Sequence, residues 1–155
     1  MKTMFQNGYW CWIPRLGYKR PFNTREENKG KPPIPDGRLS EIIKALFVKA
    51  SETTVSKKYL AEYVNRLGFK EAYGVKANGK MVSRIISDTF YFGKMYAPKW
   101  KEYAWGKHKA LIDETTWEKA NINVFGRKRK YSHQDTAKYP LKGILMCSSC
   151  SHPLT

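Results

Sequence analysis

The chain has 155 residues, 29 Lys plus Arg against 13 Asp plus Glu, and a net charge of +16, with 41% hydrophobic and 14% aromatic residues. So much large apolar side chain excludes wholesale disorder, and the length fits one domain, or one plus part of another, with a real core. No run of eighteen apolar residues occurs and no signal-peptide core follows Met1, which excludes a transmembrane span and makes a cytoplasmic location the expectation.

Residues 8–20 carry short apolar-aromatic stretches broken by Gly8, Pro14 and Gly17, which predicts one or two short strands joined by a turn. Trp10 and Trp12 alternate as on one buried strand face. The segment 21–37, with Pro21, Pro32, Pro33, Pro35, Gly30 and Gly37, is a connector unable to hold a long helix. From Leu39 to Ala50 the residues Leu39, Ile42, Ile43, Leu46, Phe47 and Ala50 recur at helical spacing, with Asp36 or Ser40 as the expected cap. Ser56 caps a second predicted helix with Leu60, Ala61, Val64 and Leu67 on its apolar face and Gly68 as its stop.

After an expected loop from Lys70 to Gly79 comes a third helical pattern. Met81, Val82, Ile85 and Ile86 face one way and Lys80, Ser83, Arg84 and Ser87 the other. Three short helices of this kind are what a helix-turn-helix core needs. Phe90–Tyr96 reads as a strand, with 100–108 returning as its partner. A fourth helix is expected from Thr115, where Thr115 and Glu118 have capping-box spacing and Trp117, Ala120, Asn121 and Val124 share a face. Tyr139–Leu145 is strand-like and leads to Cys147-Ser148-Ser149-Cys150. The fold class expected is α+β: a helix-turn-helix-like helical core with short flanking β-strands or hairpins and a last strand leading to the cysteine pair.

The charge is not a tail. Positions 1–37 carry seven basic and three acidic residues, while 38–97 and 98–155 each carry eleven and five, so the excess is +4, +6 and +6. Outside the block Arg127-Lys128-Arg129-Lys130 the cations are interleaved with aromatics, which suits a folded surface following a phosphate backbone. The third helix is the best candidate for reading DNA, with Arg84 nearest a guanine edge. Cations on a helix's polar face are more often merely solvated, but the +16 balance favours recognition. Lys76, Asn78, Lys80, Ser83 and Arg84 are therefore the expected groove contacts, and Arg15, Lys19, Arg20, Arg127, Lys128, Arg129 and Lys130 the expected backbone contacts. The aromatic-basic segment 9–20 would also suit stacking on single-stranded nucleic acid, so an RNA-binding module is the alternative.

With three cysteines the chain lacks a disulfide framework, and Cys147 and Cys150 have the spacing of half a tetrahedral zinc site. A redox pair fits that spacing equally, which gives a third reading, a small thiol enzyme. Cys11 reads as an apolar core side chain, and His108 and His133 as structural or surface residues. No catalytic constellation is found.

In their order and spacing, several segments resemble a large serine recombinase. They are Met4 with Gly8-Tyr9-Trp10 and Pro14-Arg15-Leu16-Gly17-Tyr18, then Ile42–Phe47, Leu60–Gly68, Val82–Gly93, and Tyr139–Cys150. The resemblance implies a DNA-binding recombinase domain over 1–126, a basic linker over 127–138 and the start of a zinc ribbon over 139–155. It also implies a parent protein of bacterial, phage or mobile-element origin that dimerises and forms tetramers on DNA. Its partner would be an attachment-site half-site of double-stranded DNA. The family's nucleophilic serine lies in an amino-terminal resolvase-like domain and the ribbon needs a second cysteine pair. The expectation is thus a fragment that is not itself an enzyme, with Met1 inside the helix leaving the catalytic domain.

Overall fold

A computed structural model describes residues 1–22, 24, 27, 28 and 30–126. Its centre is helical. In α2 (Gly37–Glu52) the six apolar positions read from the sequence are all buried. Neither expected cap is used as such: Asp36 stands at the N-cap without a side-chain cap bond and pairs with Lys19 at 3.5 Å, while the buried Ser40 donates its hydroxyl to Gly37 O at 2.8 Å. In α3 (Lys57–Arg66) Ser56 is the cap, its Oγ accepting from the Tyr59 N–H at 3.2 Å, and Leu60, Ala61 and Val64 are buried. Leu67 leaves that face and is exposed, because the helix ends at Arg66 and Gly68, at φ 91°, turns the chain.

The next stretch is not all loop. Phe69–Tyr73 forms α4, a single turn between two left-handed glycines, Gly68 and Gly74, with Phe69 buried. Five residues are too few for an apolar period to register. In α5 (Gly79–Ser87) Val82, Ile85 and Ile86 point inward, and Met81 is half-buried. Helix α6 (Glu114–Phe125) starts earlier than the Thr115 box predicts. Asp113 is the cap, accepting from the Thr116 N–H at 3.1 Å and from the hydroxyls of Thr115 and Thr116. These bonds hold its carboxyl well below the usual range, and a carboxylate outcompetes a hydroxyl as acceptor for the helix's first N–H groups.

Helix α2 packs along α6, and α3 packs against α5. Two asparagines of α6 close the ends of their neighbours. Asn123 Nδ2 donates to Ala50 O and Ser51 O at 2.9 and 3.0 Å, and Asn121 Nδ2 to Ile86 O at 2.8 Å, satisfying carbonyls that a helix terminus leaves open.

Strands are few. Within 8–20 only β1 (Tyr18–Lys19) forms, antiparallel to β2 (Ile34–Pro35), a pair that Pro35, with no N–H to give, cannot extend. The expected strand at Phe90 begins later. Thr89–Phe92 is a 3-10 turn ended by Gly93 at φ 98°, and β3 (Lys94–Ala97) follows, paired with β4 (Glu102–Trp105) so that Lys94 faces Trp105 and Tyr96 faces Tyr103.

A cluster of rings joins the amino-terminal segment to the hairpin. Trp10 and Trp12 lie in irregular backbone rather than on a strand, yet their rings are 4.8 Å apart and pack on Phe90 and Phe5. Phe5 belongs to the short helix α1 (Lys2–Gln6) and is fully buried. His108 is buried parallel to Phe90 with ring centroids 3.8 Å apart, and its Nε2–H donates to Phe90 O at 2.7 Å. Burial holds its pKa below the ordinary value. The phenols of Tyr18 and Tyr91 donate to Lys109 O (2.7 Å) and Leu16 O (3.0 Å), each bond crossing between the two segments. Cys11 is half-buried with its thiol toward Tyr9 O, and burial raises its pKa.

Candidate nucleic-acid interface

The outward face of α5 carries Lys80, Ser83, Arg84 and Ser87, spaced three and four apart so that they stand on one stripe. Lys80 and Arg84 are exposed, Ser83 is half-buried, and the Ser87 hydroxyl donates to Ser83 O at 2.6 Å. The start of the helix is held at two points. Asn78 Oδ1 accepts from the Met81 N–H at 2.9 Å, and Asn65 of α3 clamps Ala77 by both backbone groups, Oδ1 accepting at 2.8 Å and Nδ2 donating at 3.0 Å. A helix so capped and clamped holds its exposed side chains at a fixed angle to the core. The Asn65 clamp is invisible in the sequence, because its partner is a backbone twelve residues away.

Beside this stripe lies a groove of ≈ 460 Å³. One wall is α5, with Ser83, Arg84 and Ser87. Arg15, Asp88 and Thr89 line it too, and so do Tyr96 and Tyr103 of the hairpin. Asp88 is fully engaged: Oδ2 pairs with Arg15 Nε at 2.8 Å and Oδ1 accepts from the Phe90 N–H at 3.0 Å. The Arg15 guanidinium also lies 5.0 Å from the Trp10 ring centroid. A carboxylate on one edge and a ring on one face fix its orientation.

The expected site residues are thus divided. Arg15, Ser83 and Arg84 meet in the groove. Lys76, Asn78 and Lys80 sit at the amino end of α5, exposed and outside the groove. Lys19 turns away to Asp36, and Arg20 lines a separate concavity of ≈ 500 Å³ with Trp10, Trp12 and Lys31. Arg127, Lys128, Arg129, Lys130, Cys147, Cys150 and His133 lie outside the described residues. The groove tyrosines were not among the expected contacts. Their one sequence signal is outward position on a strand pair, which needs the pairing register to be read.

Much of the aromatic-basic interleaving is internal. Lys107 lies 4.2 Å from the Tyr9 ring and donates to its hydroxyl at 3.0 Å, Lys31 lies 3.8 Å from the Phe22 ring, and Lys57 lies 4.5 Å from that of Phe125. Rings already covered by a cation offer less face to an unpaired base. Among the described residues there is no cluster of His, Cys, Asp or Glu able to hold a metal, and no helix long and apolar enough to cross a membrane.

The family profile described as Recombinase matches residues 38–126. No curated protein matches the chain. Among solved structures, a crystal structure of an LSR–DNA complex is similar over 97% of this chain and 46% of that one, at 15% identity and a TM-score of 0.62. A second, from work on the sequence requirements of the Listeria innocua prophage attP site, is similar over 98% and 60%, at 17% identity and a TM-score of 0.55. The chain therefore spans about half the length of these structures and shares their fold. A profile that covers more than half of the chain, ending with α6, makes the chain a member of the Recombinase family.

Proposed function

We propose that this chain is the double-stranded-DNA-binding part of a site-specific recombinase, which sets the catalytic domain of a longer protein over an attachment-site half-site. The observation that carries the reading is the groove. Arg84 projects from a capped and clamped helix, Arg15 is held beside it by Asp88 and Trp10, and the one carboxylate there is already paired. In this reading α3 and α5 act as a helix-turn-helix pair. Helix α5 enters the major groove, where Arg84 reads a guanine edge, while Lys76 and Lys80 meet phosphates. Residues 1–126 are the recombinase domain and 127–138 a linker whose Arg127–Lys130 follow the duplex. Residues 139–155 begin a zinc ribbon in which Cys147 and Cys150 supply two of four thiolates, the longer protein working as a dimer that assembles into tetramers on DNA.

Arg84→Ala tests the central element. A loss of about 1–3 kcal/mol on a duplex selected from a random pool, with little change on random sequence, is the expected signature of base reading. Equal loss on both duplexes means that Arg84 touches phosphate alone. The exposed Tyr103 and Trp105 favour one competing reading, single-stranded RNA. If single-stranded RNA displaces the chain as readily as the selected duplex does, the duplex-binding reading fails.

A further inference from the structure

The β3–β4 hairpin has an inner and an outer side, set by the alternation of a strand. Met95 and Ala97 are buried beneath it. On the outer side the register places Lys94 opposite Trp105 and Tyr96 opposite Tyr103. Tyr103 and Trp105 are 59% and 65% exposed, where an ordinary solvent-facing hairpin would carry threonines and charges. The two tyrosine rings lie 4.6 Å apart, and Lys94 Nζ is 5.3 and 6.0 Å from the rings of Tyr103 and Trp105.

Three features say what this face is for. The first is continuity, because Tyr96 and Tyr103 also line the groove beside α5, together with Arg84 and Arg15. The second is charge: the hairpin's one acid, Glu102, is drawn to α1, pairing with Lys2 at 2.6 Å and accepting from Gln6. Lys94 stays on the outer face, and Lys99 and Lys101 lie at the exposed tip. The third is the hydroxyls. Those of Tyr9, Tyr18 and Tyr91 are taken up within the fold, whereas those of Tyr96 and Tyr103, like those of Tyr59, Tyr63 and Tyr73, are engaged by no other described residue and are free to donate outward. Exposed rings, free phenol donors and a basic rim suit a sugar–phosphate backbone, whose sugars offer apolar edges and whose phosphates accept hydrogen bonds.

We propose that the outer face of the hairpin, Lys94, Tyr96, Tyr103 and Trp105, is a second DNA-contacting surface that grips the duplex backbone flanking the segment under α5. The proposal rests on the duplex-binding reading above. The α5 face and the hairpin then hold the duplex from two sides, with the phenols of Tyr96 and Tyr103 donating to consecutive phosphates and Trp105 covering a sugar. Such contacts carry no base identity. They add affinity and fix the angle at which α5 meets the bases.

The test uses the whole 155-residue chain with two fluorescent duplexes, one selected by the wild-type protein from a random pool and one of random sequence. The double variant Tyr96→Phe/Tyr103→Phe keeps both rings and removes both hydroxyls, so folding is preserved and is checked by circular dichroism. It should bind both duplexes on the order of a hundredfold more weakly, since each of the two lost hydrogen bonds to a charged group is worth about tenfold or more. Its hydroxyl-radical footprint should lose protected sugars on one flank only. Lys94→Gln should lower the salt-dependence slope of binding by about one. Wild-type affinity and an unchanged footprint in the phenylalanine variant would overturn the proposal and leave the α5 reading intact. Failure of the wild-type chain to bind any duplex would sink both, and loss confined to single-stranded RNA would reassign the face.

Discussion

The helices and the ring cluster solve the same problem, covering a small core, by different means. In α2, α3, α5 and α6 each buried side chain is fixed by its own element, since a period of 3.6 residues puts Ile42, Ile43, Leu46 and Phe47 on one side whatever else the chain does. Around Phe90 nothing is periodic. Trp10, Tyr18 and His108 reach it from far along the chain, and Phe5, Trp12 and Trp100 extend the same cluster. The groove lies on the seam, taking Arg84 from the helical half and Arg15, Tyr96 and Tyr103 from the other. Its shape therefore depends on the ring cluster holding the hairpin and the amino-terminal segment against α5.

Cutting one large side chain from each half should give the largest effects. Phe90→Ala should destabilise the chain by about 3–5 kcal/mol and Leu46→Ala by about 2–5 kcal/mol, both side chains being essentially fully buried. Urea unfolding followed by tryptophan fluorescence, four of whose five reporters (Trp10, Trp12, Trp100 and Trp105) lie outside the helices, and by far-UV circular dichroism weights the two halves differently. If they form one cooperative unit, each variant shifts both curves together. If Phe90→Ala moves the fluorescence curve alone, the ring cluster melts by itself and the groove cannot be a rigid site.

The same contrast explains what could be read in advance. The buried faces of α2, α3 and α5 follow from spacing, and so does the stripe of Lys80, Ser83, Arg84 and Ser87 opposite them. The 3-10 turn Thr89–Phe92 hides in a sequence that reads as strand, because Phe, Tyr and Phe favour both and only the Asp88 cap and Gly93 decide. Glu118 at capping-box spacing points to Thr115, yet Asp113 two residues earlier is the stronger acceptor and moves the helix start. Arg15 was legible as a cation in a basic, aromatic segment. Its partners Asp88 and Trp10 were not, since each contact is set by how two loops meet rather than by any local pattern.

A smaller change probes how firmly the recognition face is held. Asn78→Ala removes the cap from α5 and should cost about 1 kcal/mol of stability. Asn78→Asp or Asn78→Ser, which restore an acceptor for the Met81 N–H, should recover most of it. In this reading the alanine variant also weakens binding to the selected duplex, and Asn78→Ser, which restores the cap without adding negative charge beside the phosphates, brings affinity back. If alanine lowers stability and leaves duplex binding unchanged, the start of α5 is not part of the interface.

The smallest effect comes from the centre of the ring cluster. Burial disfavours the charged form of His108: Nε2–H donates to Phe90 O, while the buried Nδ1 has no partner among the described residues. Its pKa in the folded chain lies below the ordinary 6.5, so the unfolded chain takes up the proton first. Stability is then fully present above about pH 7.5 and falls as the pH drops through about 6.5 toward the lower folded value. Asp113 does not interfere, because its depressed carboxyl loses its contribution only in the acid range below an ordinary carboxylate. The urea midpoint should drop between pH 7.5 and 5.5, and His108→Gln, which keeps an amide donor for Phe90 O but cannot titrate, should flatten that part of the profile. An equal slope in the glutamine variant would show that the pH dependence belongs to another group and that His108 is not sealed inside the rings.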